Sequence, residues 1–173
     1  LDDTMPDVER LTRALRKFMN LKRIRVPYAV LRKLPAVLRA SKFSVKCVVR
    51  VTPDDMFVYD IFDAKEDVIM GGLAVDIGTT TVSAVIINMA TGEILAKSSS
   101  GNGQIRYGAD VINRIIETTK PGGIKKLQDA VIKETINPMI HEMCRSIHLP
   151  ENQIYRMCVA SNTTMNHLFA GIN

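Results

Sequence analysis

Hydrophobic and polar positions along the chain change period several times, and each change marks an element. Val8, Leu11, Leu15 and Phe18 recur at helical spacing, which predicts an amphipathic helix over residues 5–19 with Arg10, Arg13 and Lys17 largely outward. Thr4 and Asp7 supply a start signal, the acidic group suiting the positive end of the helix dipole. Over residues 28–40, Val30, Leu31, Leu34, Val37 and Leu38 repeat the pattern. Pro35 is expected to open a second short helix there, because it lacks the N–H that an interior turn needs. From residue 43 the period drops to two. Phe43, Val45, Cys47, Val49 and Val51 share one face and Ser44, Lys46 and Arg50 the other, a half-buried strand. Thr52-Pro53-Asp54-Asp55 turns the chain into a second strand over residues 57–62. A polar interval at 63–67 and the backbone freedom of Gly71-Gly72 place a boundary near residue 70.

Residues 73–87, LAVDIGTTTVSAVII, read as strand, tight polar turn, strand. Gly78 is expected to take backbone angles closed to other residues, so that N–H groups from 78 to 81 turn toward one point and form an anion-binding concavity. Thr79, Thr80 and Thr81 add hydroxyl donors, and Asp76 sits where a carboxylate can hold Mg²⁺ through water. An ordinary hairpin with a solvated polar turn has the same composition. After it come a turn at 89–92, a third strand at 93–99, and a small polar loop at 100–104 that reads as either a surface connection or a site rim. A helix over 108–118 presents Val111, Ile112, Ile115 and Ile116 as its apolar residues, and Pro121-Gly122-Gly123 ends it. A longer helix runs from Leu127 to Ile147 with a kink at Pro138. His141 and His148 have no second metal-type ligand at useful spacing and read as structural. Finally, a strand over 154–160 delivers Ser161-Asn162-Thr163-Thr164 to a helix N-terminus, which is either an anion site or a plain cap.

Composition narrows the picture. At 173 residues with 46% apolar content, the chain can build a core, one that must rest on Val, Ile, Leu and Met because only 5% of residues are aromatic. Residues 1–46 hold twelve Lys or Arg against four Asp or Glu, and the rest hold eleven against fourteen. That asymmetry suits an acidic neighbour or simply the wet face of helices. Without aromatic residues interleaved among the basic ones, nucleic acid is not an expected partner. No apolar run approaches a membrane span, and the scattered Cys47, Cys144 and Cys158 fit a reducing cytoplasm better than a disulfide framework.

An acidic strand end, a glycine two residues on, then hydroxyls between apolar strands resembles the first phosphate motif of the acetate and sugar kinase, Hsp70 and actin superfamily. No GxGxxG or P-loop lysine is present. LDDTMPDVERLTRAL, VLRKLPAVLRASKFSV, GGLAVDIGTTTVSAVIINMATGEILA, GQIRYGADVINRI and ASNTTMNHLFAGI together resemble reductive activators of corrinoid proteins. The resemblance implies a linker helix at residues 1–20, a small α+β middle domain at 21–70, and the first part of a ribonuclease H-like, actin/Hsp70-type ATPase lobe at 71–173. It implies ATP and Mg²⁺ as ligands, with Asp76, Gly78, Thr79, Thr80 and Thr81 at the phosphates and Gln104, Asp110, Asn162 and Thr163 lining the cleft. Members are iron–sulfur ATPases that return a Co(II) corrinoid to Co(I), so a corrinoid protein and an electron donor are the implied partners, and the parent has room to form a homodimer. No cysteine cluster here can ligate an iron–sulfur centre. The second phosphate motif and the Gly-rich adenosine motif would lie beyond residue 173, so an excised piece is expected, with weak nucleotide affinity and neither useful ATP hydrolysis nor electron transfer of its own. A metabolite kinase of the sugar type is the rival, disfavoured by Ser83 where many sugar kinases carry lysine. An ATP-driven chaperone or assembly protein is the third reading.

Overall fold

The computed structural model describes residues 4–18 and 23–172. Two compact units divide the chain, Leu1–Val68 and Ile69–Asn173.

In the first unit, α1 (Asp7–Phe18), β1 (Arg23–Arg25), α2 (Tyr28–Ala40), β2 (Val45–Val51) and β3 (Asp55–Asp63) build a three-stranded sheet covered by helices. The strand order is β1-β3-β2, with β1 parallel and β2 antiparallel to β3. Leu11, Val30, Leu34, Leu38, Val58 and Ile61 form its core. Strand β1 was not expected, since three residues are too few to show a period.

Several expectations need correcting here. The stripe on α1 is narrower than its spacing suggests: Leu11 is buried, but Phe18 is 84% exposed. Arg10, expected outward, is half-buried with its guanidinium 5.6 Å from the centre of the Phe43 ring, where its stem adds apolar cover. Residues 19 and 20, expected to finish the linker helix, lie outside the described residues. Pro35 does not start a new helix; α2 runs unbroken through it. Val30, Leu34 and Leu38 form one continuous buried row across the proline, and packing that row outweighs the single ladder bond that Pro35 cannot make. Strand β2 starts at Val45, not Phe43, because Lys42 and Phe43 take left-handed backbone angles (φ 51° and 65°). Beyond that turn, Val45, Cys47 and Val49 pack on the core as their alternation predicts.

The second unit holds β4 (Gly71–Ile77), β5 (Thr81–Asn88), β6 (Ile94–Gly101), α3 (Val111–Thr118), α4 (Gly123–Val131), α5 (Asn137–Ser146), β7 (Ile154–Ser161) and α6 (Thr163–Ala170). Its sheet runs β6-β5-β4-β7, an antiparallel meander with β7 added parallel to β4. This is an α/β lobe of the ribonuclease H-like type following an α+β unit. Leu73, Val75, Ile77, Val82, Ala84 and Ile86 face Leu127, Val131, Met139, Met143, Met165 and Leu168 in one core.

Gly71 and Gly72 are not a flexible joint. Both are buried within β4, where a Cβ would lie 2.7 Å from the Gln153 carbonyl oxygen and 2.8 Å from Met89 Cγ respectively. They are needed for close packing. Between α4 and α5 the helix widens into a π-helical segment, Ile132–Ile136, and Pro138 falls in the first turn of α5. The wider turn takes the place of the sharp kink expected at the proline. On α3 the expected polarity is inverted: Ile112, Ile115 and Ile116 are exposed, and Arg114 is fully buried.

Close approach sets the cost of adding a methyl group. Gly123→Ala would put a Cβ 1.9 Å from the Glu117 carbonyl oxygen, so this change and Gly71→Ala should each destabilise by at least ~1–3 kcal/mol in urea unfolding. Gly101→Ala, which meets nothing within 4 Å, should stay within ~0.5 kcal/mol. The thiols should separate similarly. Burial, and secondarily the Asp60 charge, pushes Cys47 up to about 11, so it stays protonated and slow until the pH approaches that value. Burial also raises Cys144, whereas Cys158 is exposed. A maleimide titration of the native protein at pH 7.5 should modify Cys158 first, as read by mass spectrometry.

Candidate functional site

Strands β4 and β7 lie in parallel register, with Asp76 beside Ala160 and Ile77 beside Ser161, so both end at the same edge of the sheet. The polar turn at 78–80 follows one strand and α6 follows the other. Carboxyl ends of adjacent parallel strands are where open α/β sheets bind ligands, because turns and helix N-termini converge there.

Glycine at 78 is required, though not for the reason expected. Its φ is not left-handed, but a Cβ would sit 2.6 Å from the Thr81 carbonyl oxygen. The Gly78 N–H donates to that same oxygen at 2.9 Å, so it closes the turn and leaves the set of donors expected to face a ligand. The N–H groups of Thr79 and Thr80 make no hydrogen bond among the described residues.

Their direction is set from behind. Asn102 Nδ2 donates to the Gly78 carbonyl at 2.9 Å, Arg114 Nη2 to the Thr79 carbonyl at 2.6 Å, and the Asn102 N–H to the Thr80 carbonyl at 2.8 Å. In a trans peptide the C=O and the following N–H point in opposite directions. Fixing the Gly78 and Thr79 carbonyls inward therefore turns the Thr79 and Thr80 N–H groups away from the protein. The sequence reading missed both Asn102 and Arg114. Asn102 left a trace, lying between Gly101 and Gly103 where an Asx turn is favoured. Arg114 left none, since one arginine on a helix ordinarily faces water.

Asn102, Gln104 and Arg114 form one buried network. Arg114 Nε donates to the Gly108 carbonyl at 2.9 Å, and Nη1 donates to Gln104 Oε1 at 3.2 Å and approaches Met165 Sδ at 3.3 Å. Gln104 Nε2 donates to the Leu127 carbonyl at 3.0 Å. No carboxylate forms an ion pair with Arg114 among the described residues. Burial holds its guanidinium below the ordinary arginine value, and the Asp110 charge partly opposes this.

The expected site residues separate into two groups. Asp76, Thr79, Thr80, Thr81, Asn162 and Thr163 share the sheet edge. Asp76 is exposed and makes no ion pair among the described residues, so its carboxylate is accessible for a hydrated divalent cation. Asn162 caps α6, its Oδ1 accepting from the Met165 N–H at 2.9 Å while Nδ2 reaches Thr79 Oγ1 at 3.4 Å. The cap and the threonine turn are thus in contact. Gln104 and Asp110 are placed otherwise. Gln104 has no exposed surface and serves the network, and Asp110 caps α3 through the Asn113 N–H at 2.8 Å. The site is an open wall. A groove of about 910 Å3 lined by Leu73, Lys133, His141, Glu151 and Arg156 lies toward the opposite ends of β4 and β7.

An open edge on a β6-β5-β4-β7 sheet, with a glycine-closed threonine turn beside a capped helix, defines the class by fold: a ribonuclease H-like α/β lobe. Family comparison adds the particular group. A family model described as the RACo linker region matches residues 1–67, and one described as the RACo middle region matches residues 71–173. The chain belongs to this family of reductive activators of corrinoid proteins. It is 35% identical over 103 residues to the corrinoid activation enzyme RamQ of Eubacterium limosum, covering 59% of this chain and 17% of that protein. A solved structure described as a reductive activator for corrinoid, iron–sulfur protein superposes with TM-score 0.80 and 36% identity over 99% of this chain and 27% of its own. The chain therefore spans about a sixth to a quarter of the relatives it matches.

Removing the partner of these carbonyls should cost stability at once. Asn102→Ala orphans the inward-facing Gly78 carbonyl and the Gln104 N–H, and should lower unfolding free energy by roughly 2–3 kcal/mol. Asn162→Ala, which removes a helix cap, should cost about 1 kcal/mol. Thermal and urea denaturation of both variants check the ranking.

Proposed function

We propose that this chain is the first phosphate-binding wall of an ATP-dependent activator that restores a Co(II) corrinoid to Co(I) for methyl transfer. One observation carries the reading: two peptide N–H groups without acceptors, at Thr79 and Thr80, lie on a turn beside an exposed carboxylate, Asp76, and the capped N-terminus of α6. The names of the relatives supply the corrinoid context.

In this reading the Thr79 and Thr80 amides, with the hydroxyls of Thr79, Thr80 and Thr81, hold phosphate oxygens, and Asp76 orients water on Mg²⁺. Thr163, exposed at the first position of α6, adds an N-terminal amide with the favourable end of the helix dipole. ATP bound with Mg²⁺ supplies the free energy that an uphill one-electron reduction of cobalt requires. The rigid turn contributes orientation: its donors are aimed before the ligand arrives, so binding does not have to order them. A second lobe of the complete protein closes on the same ligand, and the difference in contacts between open and closed states becomes conformational work. An iron–sulfur centre, which the family resemblance implies for the complete protein, would supply the electron for cobalt. Cys47, Cys144 and Cys158 do not fit such a centre, because no group of three or more metal-ligating side chains is found among the described residues. No helix among the described residues is long and apolar enough to cross a membrane.

The test uses the full-length protein with its corrinoid partner. Asp76→Ala and Thr79→Ala should each reduce ATP-dependent formation of Co(I), followed by its absorbance, by roughly tenfold or more, and weaken ATP binding in calorimetry. Unchanged binding and reactivation in both variants would overturn the site. ADP release stimulated by a sugar instead of by the corrinoid protein would overturn the reaction.

A further inference from the structure

We propose that Arg114 is a buried positioning cation for the phosphate turn: it fixes the Thr79–Thr80 peptide and keeps behind it a positive charge without an ion-pair partner, which makes the site select for polyphosphate. The inference rests on the phosphate reading of the preceding section and adds a residue that never touches the ligand. Arg114 has no exposed surface, and Nη2 lies 2.6 Å from the Thr79 carbonyl. Among the described residues all its other contacts within hydrogen-bonding distance are neutral: the Gly108 carbonyl, Gln104 Oε1 and Met165 Sδ. A buried guanidinium is ordinarily matched by a carboxylate. Here that place is taken by the amide of Gln104; Asp110 is exposed and forms no ion pair with Arg114 among the described residues, so its charge acts only from a distance and only partly offsets burial.

Two consequences follow from this arrangement. The arginine polarises the Thr79–Thr80 peptide along its own dipole, so the outward Thr80 N–H becomes a stronger donor. The charge also acts through a low-dielectric core, where it is weakly screened, so an anion on the far side of the turn supplies the missing counter-charge. Met165 stands in the first turns of α6, so the same side chain ties the helix N-terminus to the turn. The ligand chemistry this selects is a compact, multiply charged phosphate chain, and each added phosphate should gain more affinity than it would from hydrogen bonds alone.

Calorimetry on the full-length protein with ATP, ADP and adenosine separates this from a purely structural role. Gln104→Glu supplies the missing carboxylate at nearly unchanged size and shape, at the cost of the hydrogen bond to the Leu127 carbonyl, and Arg114→Met removes the charge. Each is expected to weaken ATP binding by roughly tenfold or more while leaving adenosine binding within about twofold, and to flatten the salt dependence of ATP affinity. Arg114→Lys, which keeps the charge with fewer donors, is expected to restore most of the preference for ATP over adenosine. Circular dichroism identifies which variants fold, and any folded one decides. A folded Gln104→Glu or Arg114→Met protein with the wild-type ratio of ATP to adenosine affinity overturns the inference, as does a folded Arg114→Lys protein that has lost the ratio. Wild-type protein that does not prefer ATP to adenosine overturns the phosphate reading itself, which is a different failure.

Discussion

Polar groups behind the threonine turn must be satisfied inside the fold, and this requirement shapes much of the second unit. Three consecutive carbonyls, those of Gly78, Thr79 and Thr80, point into the protein. Left unpaired, each would cost about 1–3 kcal/mol, comparable to the whole margin of stability of a small domain when summed. Asn102 and Arg114 meet the demand, and both are among the most buried side chains of the chain. The helix bearing Arg114 consequently rotates its isoleucines outward, at a cost in exposed apolar surface. Burying the guanidinium is itself expensive, at several kcal/mol, and three hydrogen bonds to a charged group at about 1.5–3 kcal/mol each offset much of that. They leave the charge without a paired carboxylate among the described residues.

This network is anchored through the irregular helix. Thr135, within the π-helical segment, donates from Oγ1 to the Ala130 carbonyl at 2.8 Å and accepts from the Gly103 N–H at 3.0 Å. A Cβ on Gly103 would lie 2.8 Å from the same Ala130 oxygen, so the loop can dock there only as glycine. The π-turn is therefore more than an accommodation of Pro138, because it creates the seat for the loop that carries Asn102. Irregular helix, glycine contact, asparagine and turn form one chain of cause from the core to the sheet edge.

How much of this could be read from the sequence depends on whether the signal is periodic. Alternation in residues 43–51 and the two valine- and isoleucine-rich runs around Gly78 located strands because each residue's side is fixed by its neighbours' sides. Isolated residues gave no such constraint. Arg114 on α3 looks like any solvent-facing arginine, and only the tertiary arrangement of loop 102–108 shows why it points inward. Gly71-Gly72 read as a joint because glycine signals both freedom and close approach, and the sequence does not distinguish them. The same ambiguity applied to Gly78, whose importance was legible but whose geometry was not: space is limiting there, not φ. The edge formed by Asp76, Thr79, Asn162 and Thr163 was legible because a strand followed by hydroxyls, and a strand followed by a capped helix, each have local signatures.

Parallel pairing then converts two local signatures into one site. Residue 77 lies beside residue 161 in the β4–β7 ladder, so a one-residue slip would displace the α6 cap from the turn and turn every β7 side chain to the opposite face. The register is held where β4 is tightest. Gly71 lies with its backbone against Gln153, an approach that any side chain would block, and the ladder shifts between Gly71 and Gly72 before running regularly to the sheet edge. Packing at the far end of the strand thus sets the alignment at the near end, six residues away. The contact between Asn162 and Thr79 therefore depends on Gly71, at the start of β4, which lets that backbone come against Gln153 and Ile154.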